Sequence, residues 1–392
     1  MFIPVVDRIE YGGAQIGDEE KYAINRVIDS QGGKRWTIGP ESELLEKELA
    51  ETVGMKRAIL TNSGSSALLV ALTSLHLPKY SNVIIPALNF PTAFNAIIQN
   101  NLTPYVIDID MKNLLLKQKE ITSIIKKHDI AAVIAVNVAS NPVDLIGLRD
   151  IVGPDCKIIL DNCDGFGTTV NDRFVESYAD LACTSFHAAH IITMGEGGAI
   201  FTNNEELADR CRKIREWGRA SGTDKLYKYP GLPADYRERY VYEEIGYNVK
   251  PLELQCALGR VQLKRLKEFK FRRIANFNNL YERFKKYEPK IKLVDWMDNS
   301  SVCWFSFPFI CDGVDRGKVM DSLEKNNIEC RTIFSGNILR HPAYRNTYVE
   351  VDHPMVNADK VMSQGIFISV HPSITEEMID FIDKVIGEAI SK

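Results

Sequence analysis

The sequence predicts an α/β protein, with a mostly parallel seven-stranded sheet domain over residues 1–268 and a smaller α+β domain over residues 269–392. Three observations lead there. Seven short apolar runs recur between residues 57 and 203, most of them separated by stretches of helical periodicity. Such alternation marks strand–helix–strand units, which build parallel sheets covered by helices. A long helical pattern over residues 252–287 then ends the alternation, and the chain returns to alternating runs and a last amphipathic helix.

Taken in order, RAILTN (57–62) stops at a Ser/Gly cluster, which opens the helical SSALLVALTSL (65–75). NVIIPA (82–87) and TPYVIDID (103–110) follow, and KEITSIIKKH (119–128) has the spacing of an amphipathic helix. AAVIAVNV (131–138) and KIILDN (157–162) are nearly continuous apolar runs, as strands buried on both faces require. LACTSF (181–186) and GAIFTN (198–203) complete the seven. In the smaller domain VCWFSFPFI (302–310) and GIFISV (365–370) read as strands and residues 375–390 as a helix. In open α/β sheets ligands bind at the carboxyl ends of the strands, and the distinctive residues of this chain fall there.

With 45% hydrophobic and 26% charged residues, the 392-residue chain has the composition of a soluble globular enzyme. Its net charge of −4 is small and dispersed, so neither nucleic acid nor an anionic membrane is an expected partner. The basic clusters KRLKEFKFRR (264–273) and RFKKYEPKIK (283–292) read as solvated helix faces. No apolar stretch approaches the ~18 residues of a membrane span. MFIPVVDRIEYGG at the start lacks the pattern of a signal peptide. Eight scattered cysteines without a C-x-x-C pair point to reduced thiols and a cytoplasmic location.

Four stretches carry chemistry. In TNSGSSALLVAL (61–72), Gly64 permits close backbone approach, and the amides of Gly64, Ser65 and Ser66 could meet an anion at a helix N-terminus; an ordinary helix cap has the same residues. IILDNCDGFG (158–167) sets Asp161 at a strand end, where it could hold a cation or merely form a turn. NFPTAFNAI (89–97) sets Phe90 beyond another strand, as a stacking platform or as core. SFHAAHIITMGEGG (185–198) contains His187 and His190, a spacing that can bind metal, but no third ligand is evident and no metal is expected. Imidazole can move a proton near neutral pH.

The order and spacing of these motifs resemble the DegT/DnrJ/EryC1/StrS sugar aminotransferase family of fold type I pyridoxal phosphate (PLP) enzymes. The resemblance runs from GGAQIGDEEKYAINRVIDS through RTIFSGNILRHPAY (331–344) to FISVHPSIT (367–375). It implies that residues 64–66 and the Ser185 hydroxyl hold the cofactor phosphate, that Asp161 pairs with the pyridine nitrogen, and that Phe90 stacks on the ring. Asp164 stands where relatives carry Gln or Glu near the phenolic oxygen. GYNVKPLELQCALG (246–259) matches a family signature whose asparagine, here Asn248, reaches the phosphate of the neighbouring subunit's cofactor, which implies a homodimer with shared sites. Relatives carry a Schiff-base lysine at position 190, and none occurs here between Lys157 and Lys213. Histidine cannot make that covalent link, so plain transamination is not expected.

The stretch around His190, with TMGEGG and REWGR (215–219), is most similar to the sugar 3-dehydratase branch. One kind of enzyme there uses only the cofactor and glutamate; another adds a [2Fe–2S] cluster and a reductase. The cluster-bearing pattern C-x57-C-x-C-x7-C falls here on Cys163, Ser221, Thr223 and Gly231, and one thiol cannot hold a cluster. The resemblance therefore implies this sequence of events. L-glutamate converts PLP to pyridoxamine phosphate, whose amine meets the 4-keto group of a nucleotide-linked 4-keto-6-deoxyhexose. His190 then acts as the base while the 3-hydroxyl leaves, and a 3-deoxy-4-keto sugar and ammonia are released. Arg219 is a candidate for the nucleotide phosphate or the glutamate carboxylate, or an exposed surface arginine. A histidine-tolerant aminotransferase, the cluster-dependent dehydrase and a non-catalytic cofactor-binding protein are the competing readings.

Overall fold

A computed structural model describes residues 2–4, 6–31, 36–221, 223 and 225–391. Gly222 and Asp224, in the divergent segment at 220–240, lie outside the described residues. In chain order the helices are α1 (Asp18–Gln31), α2 (Pro40–Val53), α3 (Gly64–Ser74), α4 (Pro91–Gln99), α5 (Gln118–Ile124), α6 (Leu145–Val152), α7 (Glu205–Arg215), α8 (Glu253–Lys264), α9 (Leu266–Phe284), α10 (Arg316–Lys325), α11 (Val356–Gln364) and α12 (Glu376–Ser391). The strands of the large sheet are β1 (Arg57–Thr61), β2 (Asn82–Pro86), β3 (Thr103–Ile107), β4 (Ile130–Val136), β5 (Lys157–Asp161), β8 (Leu181–Ser185) and β9 (Gly198–Thr202). Two short strands, β6 (Thr169–Val170) and β7 (Arg173–Phe174), pair with β11 (Ser300–Ser301). A second sheet holds β10 (Ile291–Leu293), β12 (Ser306–Cys311), β13 (Cys330–Arg331) and β14 (Gly365–Ser369).

The large sheet runs β1-β9-β8-β5-β4-β2-β3. Only β9 opposes its neighbours; the other pairings are parallel. The seven expected strands thus form the mostly parallel seven-stranded sheet. The interior of β4, β5 and β8 is almost wholly buried, which agrees with helices covering both faces of the sheet. Because β5 and β8 are adjacent and parallel, Asp161 and Ser185 finish on the same edge. On β1 the chain leaves the sheet at that edge too, and α3 begins three residues later.

Several expectations change in detail. The helical pattern at 252–287 is two helices, α8 and α9, separated at Arg265, which ends one and caps the other with φ −89° and ψ −2°. The pattern at 119–128 forms only α5, which ends at Ile124. In VCWFSFPFI the strand starts at Ser306; the residues before it leave the sheet, and the carbonyls of Trp304 and Phe305 accept from the Arg273 guanidinium at 3.2 and 3.0 Å.

The domain expectation meets a continuous helix. Leu266 and Phe269 of α9 pack into the large core, whereas Phe277, Leu280 and Phe284 of the same helix pack into the core under the smaller sheet. The expected boundary at 268 therefore lies within α9, and Ile9, from the other end of the chain, pairs with Ile328 in the smaller core. All eight cysteines are free, seven of them buried. Among the described residues, no helix is long and apolar enough to cross a membrane.

One tight contact fixes the edge that matters. At Gly198, the first residue of β9, a Cβ would stand 2.5 Å from the carbonyl carbon and oxygen of Ser63 and 2.6 Å from the Gly64 nitrogen. No side chain fits there without moving the β1–α3 turn. Gly198→Ala is expected to lower stability by about 1–3 kcal/mol, read from urea unfolding; an unchanged midpoint would show that the turn yields freely.

Candidate active site

A cavity of about 690 Å³ opens at the carboxyl edge of the large sheet, between it and residues from 305–367 of the chain. It is lined by Gly64, Ser65, Phe90, Asp161, Asp164, Ser185 and His190, so seven of the residues picked from the sequence meet on one wall. Ser66, Asn248 and Arg219 do not line it. A second hollow of about 590 Å³, by Asp110, Lys117 and Trp296, holds none of these residues.

The turn before α3 is built for an anion. Ser63 caps the helix, and its Oγ accepts from the Ser66 amide at 3.1 Å. That corrects the expectation for Ser66: its amide is already used by the cap, and the donors left over are those of Gly64 and Ser65. Neither has a hydrogen-bond acceptor among the described residues. The first turn of α3 carries no acidic residue, so nothing opposes negative charge at this helix end. Gly64 permits the fit, because a Cβ there would lie 2.7 Å from the Ser185 Cβ and 2.8 Å from the Cys163 Sγ. The Ser185 hydroxyl accepts from the His187 amide at 3.2 Å and keeps its proton free to donate.

Asp161 is 4% exposed and has no cationic partner. Its Oδ1 accepts from the Cys163 amide at 3.2 Å. Burial pushes the carboxyl above the ordinary range, while the Cys163 thiol and amide pull it down. A buried carboxylate that lacks a counter-charge suits a protonated ring nitrogen. Phe90 is half exposed on the wall and meets Phe334 edge-on at 6.4 Å, so it is a platform and not core.

His190 sits in the loop after β8, with its ring edge-on to Phe305 at 5.5 Å and to His187 at 5.5 Å. Its Nε2 lies 3.7 Å from the Asp164 Oδ1. Burial first, then the neighbouring His187 and Arg273, lower its pKa to about 3. Burial and the charge of Asp161 raise that of Asp164 to about 8, against the Ala139 amide and Arg273. Both shifts favour the uncharged forms of the two groups, and so weaken any ion pairing across the contact. His187 also lines the cavity: its Nδ1 accepts from the Ala189 amide, and its Nε2 is 3.8 Å from Glu196. Among the described residues, no three His, Cys, Asp or Glu side chains converge as metal ligands.

Several lining residues carried no assignment from sequence. Arg331 is the permanent cation of the wall; it lies over the Tyr11 ring at 4.7 Å and pairs with Glu329. Phe305, Ser335 and His341 come from the smaller domain. The motif RTIFSGNILRHPAY was recognisable, but nothing in it said which side chain would face the sheet. Among the described residues, no lysine lines the cavity.

Asn248 and Arg219 lie together elsewhere. Asn248 Oδ1 accepts from Lys250 Nζ at 2.6 Å, and Lys250 and Arg219 both stack on Trp217, at 3.3 and 4.8 Å. The Arg219 Nε is buried without a partner. The Val249 carbonyl accepts from the Asn62 amide, so this group borders the outside of the β1–α3 turn.

A profile of the DegT/DnrJ/EryC1/StrS aminotransferase family matches residues 15–387. The lipopolysaccharide biosynthesis protein RfbH of Salmonella typhimurium is 34% identical over 97% of this chain and 91% of its own. A dTDP-4-dehydro-2,6-dideoxy-D-glucose 3-dehydratase of Saccharopolyspora spinosa is 31% identical over 98% and 87%. The GDP-4-keto-6-deoxy-D-mannose 3-dehydratase of Escherichia coli O55:H7 is 30% identical over 94% and 97%. A solved structure of the E. coli GDP-4-keto-6-deoxy-D-mannose 3-dehydratase with bound hydrated PLP superposes with a TM-score of 0.89, at 29% identity, over 97% of this chain and 100% of that one. Another structure of that enzyme holds a trapped PLP–glutamate adduct, again at a TM-score of 0.89 and 29% identity, over 96% and 100% of the two chains.

The buried acid makes a pH-dependent cost. A carboxyl held near pH 8 in the fold, but free to ionise near its ordinary value when unfolded, loses stability as pH rises between those values. Asp164→Asn removes that cost. It is expected to stabilise the ligand-free protein against urea at pH 8 by at least about 1.4 kcal/mol more than at pH 5; a gain independent of pH would contradict the uncharged Asp164.

Proposed function

The chain belongs to the DegT/DnrJ/EryC1/StrS aminotransferase family, and we propose that it is a PLP-dependent 3-dehydratase of a nucleotide-linked 4-keto-6-deoxyhexose. The observation that carries this reading is His190: a neutral imidazole in a lysine-free cavity, at the position where the family's aminotransferases hold their covalent lysine. A neutral imidazole is a base and cannot tether the cofactor.

The cavity fits the cofactor. The amides of Gly64 and Ser65 and the hydroxyl of Ser185 hold its phosphate; Asp161 supplies the missing counter-charge to its ring nitrogen, and Phe90 offers a face to its ring. Once bound, pyridoxal or pyridoxamine phosphate supplies a conjugated electron sink and a primary amine that meets carbonyl groups. The protein's own part is to position and to move protons. Asp161 stays ionised against the ring nitrogen, His190 takes a carbon-bound proton, and the walls contributed by Phe305 and Phe334 keep water from the reacting centre. Arg331 is placed to hold an anionic group, the carboxylate of an L-glutamate amino donor or a substrate phosphate.

Asn248, with Lys250 and Arg219, serves the cavity of a second copy in this reading. The support is geometric: the group lies outside its own cavity, beside exposed Tyr240, Tyr242, Ile245 and Leu252 on one stretch of chain. Exposed apolar side chains of that density suit a homodimer interface. The eight free thiols support a cytoplasmic location in this reading. Relatives named for GDP and for dTDP substrates leave the nucleotide and the hexose open. The cluster-dependent alternative finds poor ligands: the Ser221 and Thr223 hydroxyls both donate to Glu238, and Cys163 is the remaining thiol of the pattern.

The test incubates the protein with PLP, L-glutamate and GDP-, CDP-, dTDP- and UDP-linked 4-keto-6-deoxyhexoses, and weighs the sugars by mass spectrometry. Loss of one oxygen is expected with at least one donor, falling about 10²–10⁴-fold in His190→Asn. An added amine, or cofactor turnover with glutamate and no deoxygenated sugar from any donor, would contradict the reading.

A further inference from the structure

The His190 imidazole divides two spaces. On one side is the large cavity; on the other is a small hollow bordered by Gly13, Thr193, Phe269, Arg273 and His371, with about 10 Å³ open to the centre of a water molecule. Asp164 lines the large cavity and not the hollow, and the His190 Nε2 lies 3.7 Å from its Oδ1. Nε2 is therefore the nitrogen on the cavity side, and Nδ1 is left to the hollow. We propose that one water bound in this hollow, between Arg273 Nε and His190 Nδ1, holds the imidazole with its proton on Nδ1, so that Nε2 is free to act as the base. Arg273 is then a positioning residue. The role of Nε2 as base rests on the dehydratase reading; the bound water does not.

Two unmet groups meet at the hollow. His190 Nδ1 and Arg273 Nε are both buried, and neither has a hydrogen-bond partner among the described residues. Arg273 is 1% exposed, and its Nη1 is already given to the Trp304 and Phe305 carbonyls at 3.2 and 3.0 Å. Its Nε–H is a donor and nothing else, and a buried donor left unmet is costly. The neighbouring polar side chains are occupied. Thr193 Oγ1 donates to the Phe186 carbonyl at 3.3 Å and accepts from the Gly195 amide at 2.8 Å. Gln262 Nε2 donates to the Gln15 carbonyl and to Glu20. The Gly13 carbonyl accepts from His371 Nε2 at 2.9 Å and keeps a second lone pair. A polar hollow of this size, with two to four partners, suits a single water.

The direction of the bonds follows from the donors. A water oxygen has two lone pairs; Arg273 Nε–H takes one and His190 Nδ1–H takes the other, while the water's protons go to carbonyls such as that of Gly13. The bond made by one ring nitrogen sets the form of the other. With the proton on Nδ1, the lone pair of Nε2 faces the cavity. With the proton on Nε2, the ring would offer a donor there and could take no proton from carbon. The Ser185 carbonyl also draws a proton toward the ring, so the hollow decides which nitrogen keeps it. The seat is firm. The Phe305 carbonyl anchors Arg273 while the Phe305 ring lies edge-on to His190 at 5.5 Å. Behind the loop, a Cβ at Gly12 would stand 3.2 Å from the Cβ and carbonyl oxygen of Ala189, so the N-terminal segment backs His190 closely.

The experiment reads the ligand-free full-length protein first. A crystal structure is expected to show one ordered water within about 3.2 Å of both His190 Nδ1 and Arg273 Nε. With histidine labelled by nitrogen-15, and His190→Asn to assign the signal, Nδ1 is expected to carry the proton at neutral pH and Nε2 to be bare. A hollow without water, or a ring proton on Nε2, would overturn the proposal, whatever the enzyme turns over. Arg273→Lys keeps the charge and removes the Nε–H. In the loaded enzyme it is expected to lower kcat by about 10–100-fold at a little-changed KM, and in the ligand-free protein to mix the two ring forms; its urea midpoint reports the fold separately. A folded Arg273→Lys that keeps the proton on Nδ1 alone would also overturn it. Should that variant not fold, the water and the ring proton of the wild-type protein decide. Failure of the wild-type chain to dehydrate any donor would instead remove the reading of His190 as base, with the water and the ring proton unaffected.

Discussion

Desolvation at the carboxyl edge of the large sheet governs this molecule. Asp161, Asp164 and Arg273 are buried there and His190 is largely covered, and none of them is neutralised by a partner of opposite charge at bonding distance. In water each would sit at its ordinary protonation state. Packed between the sheet, α9 and the segment that carries Phe305, each is pushed toward neutrality, and Arg273 toward about 10. Uncompensated buried charge is costly, so a fold that keeps it must gain something from it. Here those groups line one cavity, with His190 pushed toward the neutral imidazole and Asp161 left without a counter-charge.

How the chain holds that arrangement follows from its topology. Parallel β5 and β8 deliver Asp161 and Ser185 to one edge, and the Gly64–Gly198 contact brings the α3 N-terminus against them. The roof comes from residues more than a hundred positions later, through Phe305, Arg331 and Phe334. Arg273 ties the two together, since it stands on α9 and donates to carbonyls of the roof.

Much of this was readable in the residues. The strands were, because buried parallel strands read as unbroken apolar runs that nothing else in the chain imitates. Gly64, Phe90, Asp161 and Ser185 were, because each ends a strand or opens a helix, where direction is set by local structure; His190, in the loop after β8, was legible from the fixed residues on either side of it. The use of the Ser66 amide by the Ser63 cap was not legible, because only a side-chain rotamer decides it. Arg331 and Phe305 were missed because their approach depends on how the smaller domain folds back. The break at Arg265 was hidden by apolar spacing that continues in phase across it. No sequence pattern could give the upward push on the Asp164 pKa, which comes from burial beside a second carboxylate.

The central claim is that histidine in place of lysine changes the fate of the amine. Glutamate carrying a nitrogen-15 label tests it directly, by following where the label ends after turnover of a 4-keto sugar. Release of the label as free ammonium, in equal amount to the deoxygenated sugar, is the predicted result. Label found bonded to the sugar would mean that the chain is an aminotransferase, and would contradict the account.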